Sequence, residues 1–233
     1  VEQAARDAGF HALVTSTRLD RESVRSSVDF LVAQSIEALV AIAPYRVVAD
    51  ELSAVPGDIP TVSLQTGGAG EPGLVGVDQR AGARLAAEHL LALGHRRIQQ
   101  LAGPHDFLEA AGRRDAVDAA LADAGLELLP TLEGDWTADS GYAAAAALDP
   151  GATAVVCGND QMALGLIHAL ADLGRSVPGD VSVVGFDDIP EAAHSLPPLT
   201  TVRQDFREVG VRAVRHLVAR LHGEQPAAEP PVA

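Results

Sequence analysis

Short apolar runs rich in β-branched residues alternate along this chain with longer segments whose apolar positions recur every three or four residues. The first kind suits strands buried on both faces, and the second suits helices packed along one stripe. In chain order the pattern predicts half a helix over 1–9, stopped by Gly9, then a strand over 10–16 and a helix over 20–35, where Val24, Val28, Leu31 and Val32 share a face. A strand over 38–42, a short helix over 47–55 and a strand over 61–64 follow. A glycine-rich loop, 66–73, then divides the chain into two lobes. Beyond it come a strand over 74–77, a helix over 79–93 stopped by Gly94, a strand over 97–101 and a helix over 109–124 stopped by Gly125. A loop at 133–136, an alanine-rich helix over 140–148, a strand over 153–157 and a helix over 161–173 lead to a strand over 181–184. A strand over 200–203, a helix over 205–221 and a polar, proline-rich tail complete the order.

Repeated strand and helix units of this spacing imply an α/β fold with doubly wound parallel sheets. Such sheets bind ligands beyond the carboxyl ends of their strands. Here those ends carry Gln65, Asp78, His105, Asn159, Asp187 and Gln204, all hydrogen-bonding side chains. The densest stretch is 180–206, where the run from Val181 to Val184 meets Gly185, expected to let the backbone turn, and then Phe186, Asp187 and Asp188. Adjacent carboxylates point in different directions, so Asp187 and Asp188 read either as ligand contacts or as turn and cap residues, with metal binding behind both. Asp160 suits the N-cap of the helix after it, leaving Asn159 to face a ligand. Arg113 and Arg114 lie in the first turns of a helix, where positive charge opposes the helix dipole. That placement suits a functional arginine or a solvated one. Trp136, between Asp135 and Thr137 in a loop, is either a core plug or a flat wall for a sugar ring.

Composition narrows the chemistry. The single cysteine, Cys157, excludes an internal disulfide framework and sits in a buried-strand pattern. All 17 basic residues are arginine and the net charge is -15, a surface that repels phosphate backbones. No apolar run reaches membrane-spanning length. There is no phosphate-loop motif, no nucleophile elbow and no HExxH spacing among the eight histidines, so neither a cofactor, a metal nor an enzyme is indicated.

Five stretches together resemble the effector-binding core of the LacI/GalR family of bacterial transcriptional regulators: HLLALGHRRIQQLAGP (89–104), EGDW (133–136), CGNDQMALG (157–165), VSVVGFDD (181–188) and PPLTTVRQDF (197–206). The resemblance implies two periplasmic-binding-protein-like lobes, 1–77 plus about 204–222 and 78–203 plus the tail 223–233, with a small sugar-like effector in the cleft. By the same likeness Asp187, Arg113 and Asn159 would bond effector hydroxyls, Gln204 and Gln65 would add polar contacts, and Trp136 and Phe206 would supply apolar walls. Gln65, Ile42 and Val77 stand where the pattern has a carboxylate, an amide and a ring. The likeness further implies a cytoplasmic homodimer, paired through residues 161–173 and 196–199, that meets operator DNA only through a headpiece absent from this chain. The other readings are a sugar-binding protein serving a transporter and, without an acid, base and nucleophile set, a sugar-processing enzyme.

Overall fold

Two parallel sheets hold the described strands, and most successive strands are joined through an α-helix. A computed structural model gives the fold and describes residues 1–18, 20–42, 46–52, 55–64, 74–226 and 229–232. The chain divides into two compact units, Val1–Asp78 with Asp205–Ala233, and Gln79–Gln204.

In the first unit, β1 (Leu39–Ile42), β2 (Thr61–Leu64) and β3 (Leu74–Val75) pair in that order, all parallel. Among the described residues, three helices precede β2: α1 (Glu2–Asp7), α2 (Arg21–Ala33) and α3 (Arg46–Leu52). Asp20 caps α2, its carboxylate accepting from the Ser23 amide at 2.8 Å, which satisfies one of the free donors of the first turn. The last helix, α8 (Phe206–Leu221), lays Val209, Ala213 and Leu217 over Val62 and Val75. That spacing is one stripe of a helix, and it closes the unit's apolar core.

Two sequence expectations fail here. Residues 10–16 form no strand, and the segment from His11 to Arg18 is exposed. Its apolar residues suit a strand, but a strand needs a ladder, and β1 gives its described pairing to β2. The tail, expected with the second lobe, belongs to the first unit. Val232 is buried and bridges Val77, while Glu229 takes two hydrogen bonds from Arg215 at 2.7 and 2.8 Å.

In the second unit, α4 (Gln79–Ala92), β4 (Ile98–Ala102), α5 (Leu108–Asp123), β5 (Leu132–Glu133), α6 (Ala138–Ala144), β6 (Ala154–Cys157), α7 (Asp160–Asp172), β7 (Ser182–Asp187) and β8 (Thr200–Arg203) follow in turn. The sheet order is β5-β4-β6-β7-β8, all parallel. Successive residues of β6 serve opposite cores. Val155 and Cys157 join Met162, Leu166 and Leu170 of α7, whereas Ala154 and Val156 join Ala83, Ala87 and Leu90 of α4 and Val117 and Leu121 of α5. Each fully buried leucine or valine contributes about 1.5–3 kcal/mol, so both faces hold the sheet in place. Gly94 and Gly125, each at positive φ, end α4 and α5 as the sequence predicts.

The two-residue β5 overlaps the segment read as a loop at Glu133. It is too short for a periodic signal, and only its pairing with Leu101 and Ala102 defines it. Gly185 does not turn the chain. It sits within β7, where a Cβ would lie 2.1 Å from Asp160 Oδ1, so its missing side chain makes room for that carboxylate. The turn falls instead at Asp187 and Asp188, which take φ of 120° and 57°.

Candidate functional site

The carboxyl ends of β4, β5, β6, β7 and β8 present Gly103, Trp136, Gly158, Asn159, Asp187 and Gln204 within the second unit. Arg113, on α5, reaches into this set and is only 7% exposed. Its Nε donates to Gln79 Oε1 at 2.7 Å, and Nη1 donates to the Gly158 carbonyl and lies 3.8 Å from Asp187 Oδ1. The guanidinium plane lies over the Phe186 ring, with Cζ 3.9 Å from its centroid, an attraction that offsets part of its lost hydration. Burial holds the arginine below its ordinary range, against the pull of Asp187, Glu109 and Asp160.

Asp187 ends β7 in a backbone conformation that L residues rarely adopt, which marks a position fixed by its surroundings. Burial pushes its carboxyl up to about 6, although Arg113 and the hydrogen bond from Gln204 both favour ionisation. A carboxylate and a guanidinium that both shift against their charged forms are held together at a cost. Such a pair gains from a guest that supplies the missing hydrogen bonds.

Asp188 turns away from Arg113 and pairs with Arg203. Asp160 is fully buried, accepting from the Thr201 hydroxyl at 2.5 Å and the Ile189 amide at 2.9 Å, and thereby ties down the turn that carries Asp187. This reverses the expected roles of Asn159 and Asp160. Asn159 is the cap, its Oδ1 accepting from the Met162 amide at 3.0 Å, and its Nδ2 donates to Trp136 O and Gln161 Oε1. A β-region residue directly before a helix can serve as cap whichever of two neighbours carries the better side chain. Arg114, half-buried, lies 3.9 Å from Asp115.

Trp136, also at positive φ, lies against Gly103, where a Cβ would meet the indole at 2.1 Å, and meets Phe107 edge-on at 5.0 Å. Its Nε1 is buried with no hydrogen-bond partner among the described residues. The indole thus plugs the core while standing 5.7 Å from the Arg113 guanidinium.

Gln65 lies outside the described residues. Phe206, the first residue of α8, is in the first unit and 60% exposed. Ile42 is exposed and Val77 buried. His105 is exposed beside Glu133, at 3.3 Å. Sequence reasoning missed Gln79, buried at the start of α4 between Arg113 and Gln204, and Phe186 as the platform under Arg113. The available signal was a long amide at a helix start just past a strand end.

Residues 87–232 match the domain family described as periplasmic binding protein-like. The lactose operon repressor of Klebsiella pneumoniae is 34% identical over 218 residues, which cover 92% of this chain and 62% of that repressor. The chain therefore spans less than two thirds of that relative. Among solved structures, the lac repressor dimer bound to operator and the anti-inducer ONPF superposes with a TM-score of 0.91 at 30% identity, covering 99% of this chain and 82% of that one. The transcriptional regulator CelR in complex with cellobiose gives 0.88 at 30% identity, covering 99% and 72%.

Proposed function

We propose, for a chain that belongs to the LacI/GalR family of transcriptional regulators and carries its periplasmic binding protein-like domain, that the second unit senses a small sugar and so controls operator binding by the whole regulator. The supporting observation is the buried Arg113 and Asp187 pair at the carboxyl end of a parallel sheet, each partner shifted away from its charged form. Sugar hydroxyls donate to a carboxylate and accept from a guanidinium, so one polyhydroxylated guest suits both. Two structural neighbours, CelR in complex with cellobiose and the lac repressor dimer bound to operator and ONPF, fit a sugar as the effector and DNA as the second partner. An effector that binds one conformation of the regulator better shifts its population, and operator affinity follows. The regulator acts as a cytoplasmic homodimer, and the core does no chemistry on its ligand. With a net charge of -15, the core itself is poorly suited to phosphate.

A thermal-shift screen of the 233-residue chain against monosaccharides and disaccharides, cellobiose and galactosides among them, tests the reading. At least one sugar should raise Tm, and Arg113→Ala or Asp187→Ala should weaken that sugar roughly 10- to 150-fold in calorimetry, the loss of a charge-assisted hydrogen bond. A screen without a single stabilising sugar, or full affinity in both variants, would sink it.

A further inference from the structure

Four side chains close a circuit at the site. Arg113 Nε donates to Gln79 Oε1 at 2.7 Å, Gln79 Nε2 donates to Gln204 Oε1 at 2.8 Å, and Gln204 Nε2 donates to Asp187 Oδ1, the oxygen that also faces Arg113 at 3.8 Å. Every donor points from the cation towards the anion. That direction follows from the two ends: a guanidinium offers no acceptor and a carboxylate no donor, so each amide between them has one usable orientation. Gln79 is 1% exposed and Gln204 7%, which leaves a flipped amide without water as a substitute partner. Gln79 opens the second unit and Gln204 closes it, 125 positions later in the chain. Among the described residues Asp187 Oδ2 takes no hydrogen bond from the protein.

We propose, resting on the reading that Arg113 and Asp187 hold the effector, that Gln79 is a positioning residue for that site: through Gln204 it commits Asp187 Oδ1 to the protein and leaves Oδ2 to accept a hydroxyl of the sugar. Gln79 itself touches no ligand. It acts by keeping the Gln204 amide turned with its nitrogen towards Asp187. Without it, Gln204 can present its carbonyl oxygen to Asp187, a contact that only a protonated carboxyl satisfies. The other charged groups around Asp187 are Arg113, backed by Glu109 on α5, Asp160 on α7, and the Asp188 and Arg203 pair from the turn and β8.

The test is carboxyl-carbon NMR of aspartate-labelled chain between about pH 4 and 8 without sugar, the Asp187 signal being assigned by its loss in Asp187→Asn. The wild type should titrate near 6. Gln79→Met removes both the donor and the acceptor of the amide while keeping bulk, and should raise that midpoint by roughly half a pH unit, one neutral hydrogen bond's worth. Gln79→Glu is isosteric, accepts from Arg113 but donates nothing to Gln204, and should raise it further, which keeps the experiment readable if the methionine variant does not fold. In both variants cellobiose, or whichever sugar of the screen stabilises the wild type, should bind several-fold more weakly at pH 7, and the pH at which its affinity halves should rise with the midpoint. A midpoint that stays put in Gln79→Met and in Gln79→Glu overturns the relay with the sugar reading untouched. Raised midpoints in a chain that binds no sugar overturn the assignment of Oδ2 to an effector and leave the relay standing.

Discussion

Two of the second unit's arginine and aspartate pairs stand at opposite ends of one sheet, and they behave in opposite ways. At the amino end Arg97 donates to Asp149 at 3.0 Å, both side chains reach water, and that hydrogen bond holds the Asp149 carboxyl below its usual range. At the carboxyl end Arg113 stands beside Asp187, yet burial wins and the carboxyl rises to about 6. The backbone differs as well: Trp136, Asp187 and Asp188 all adopt positive φ at the carboxyl end. At the amino end, His95 instead stitches strand starts together, with Nδ1 2.9 Å from Thr153 Oγ1 and Nε2 3.0 Å from Ser182 Oγ. One end of the sheet therefore holds desolvated charge and strain available to a ligand, and the other compensates with satisfied, solvated contacts.

The largest expected effect comes from crowding the strained end. Gly185→Ala would place a methyl 2.1 Å from Asp160 Oδ1 and 2.9 Å from Leu199, prying the buried carboxylate off Thr201 and Ile189. Breaking a buried charged contact and overpacking a strand together cost about 3–5 kcal/mol, so urea unfolding should lose most of the unit's stability. A wild-type midpoint for Gly185→Ala would mean that Asp160 does not hold this end together.

Next in size is the response to acid. The folded-state value of Asp187, about 6, exceeds its ordinary value of 3.8, so the folded state binds the extra proton between them. This group's contribution is therefore most favourable below pH ~4 and is lost as pH rises through about 6, by up to roughly 3 kcal/mol. The difference in unfolding free energy between wild type and Asp187→Asn should slope in that window and flatten above it. A difference independent of pH would place Asp187 with the solvated pair at the other end.

How much of this was legible in the sequence depends on which force decided each residue. The buried runs of β6 and β7 announce themselves, because a strand covered on both faces must be apolar throughout. Asp187 was recognisable from its place at a strand end, and Arg113 from its poor fit to a helix start. Gly185 was misread because a glycine signals either a turn or a close approach, and the partner that decides, Asp160, lies 25 positions earlier in sequence. The swap between Asn159 and Asp160 has the same origin, since Thr201 of β8 and Ile189 of the turn after β7 claim Asp160 and leave the cap to Asn159. Residues 10–16 carry the apolar run of a strand, but such a run says nothing about whether a neighbour is there to pair with it. The amide circuit through Gln79 was invisible for a related reason: it joins four residues from four separate segments.

The smallest effect sharpens the contrast between the ends. His95 has each ring nitrogen within hydrogen-bond reach of a hydroxyl, and burial lowers its pKa from 6.5. A base held below its ordinary value is favoured neutral in the folded state, so its contribution is whole above pH ~6.5 and is lost as pH falls through its folded value. Acid thus acts in opposite senses at the two ends, loosening the stitch at His95 while relieving Asp187. His95→Ala should cost about 1–2 kcal/mol at pH 7, the sum of two modest hydrogen bonds, and less at pH 5, where the unfolded ring binds a proton that the buried one resists. Because the strand starts lie a full strand length from Asp187, the same variant should hold its sugar within about twofold of wild type, as independent sites do. A tenfold loss of affinity in His95→Ala, with the fold intact by circular dichroism, would show that the two ends of the sheet are not separate in function.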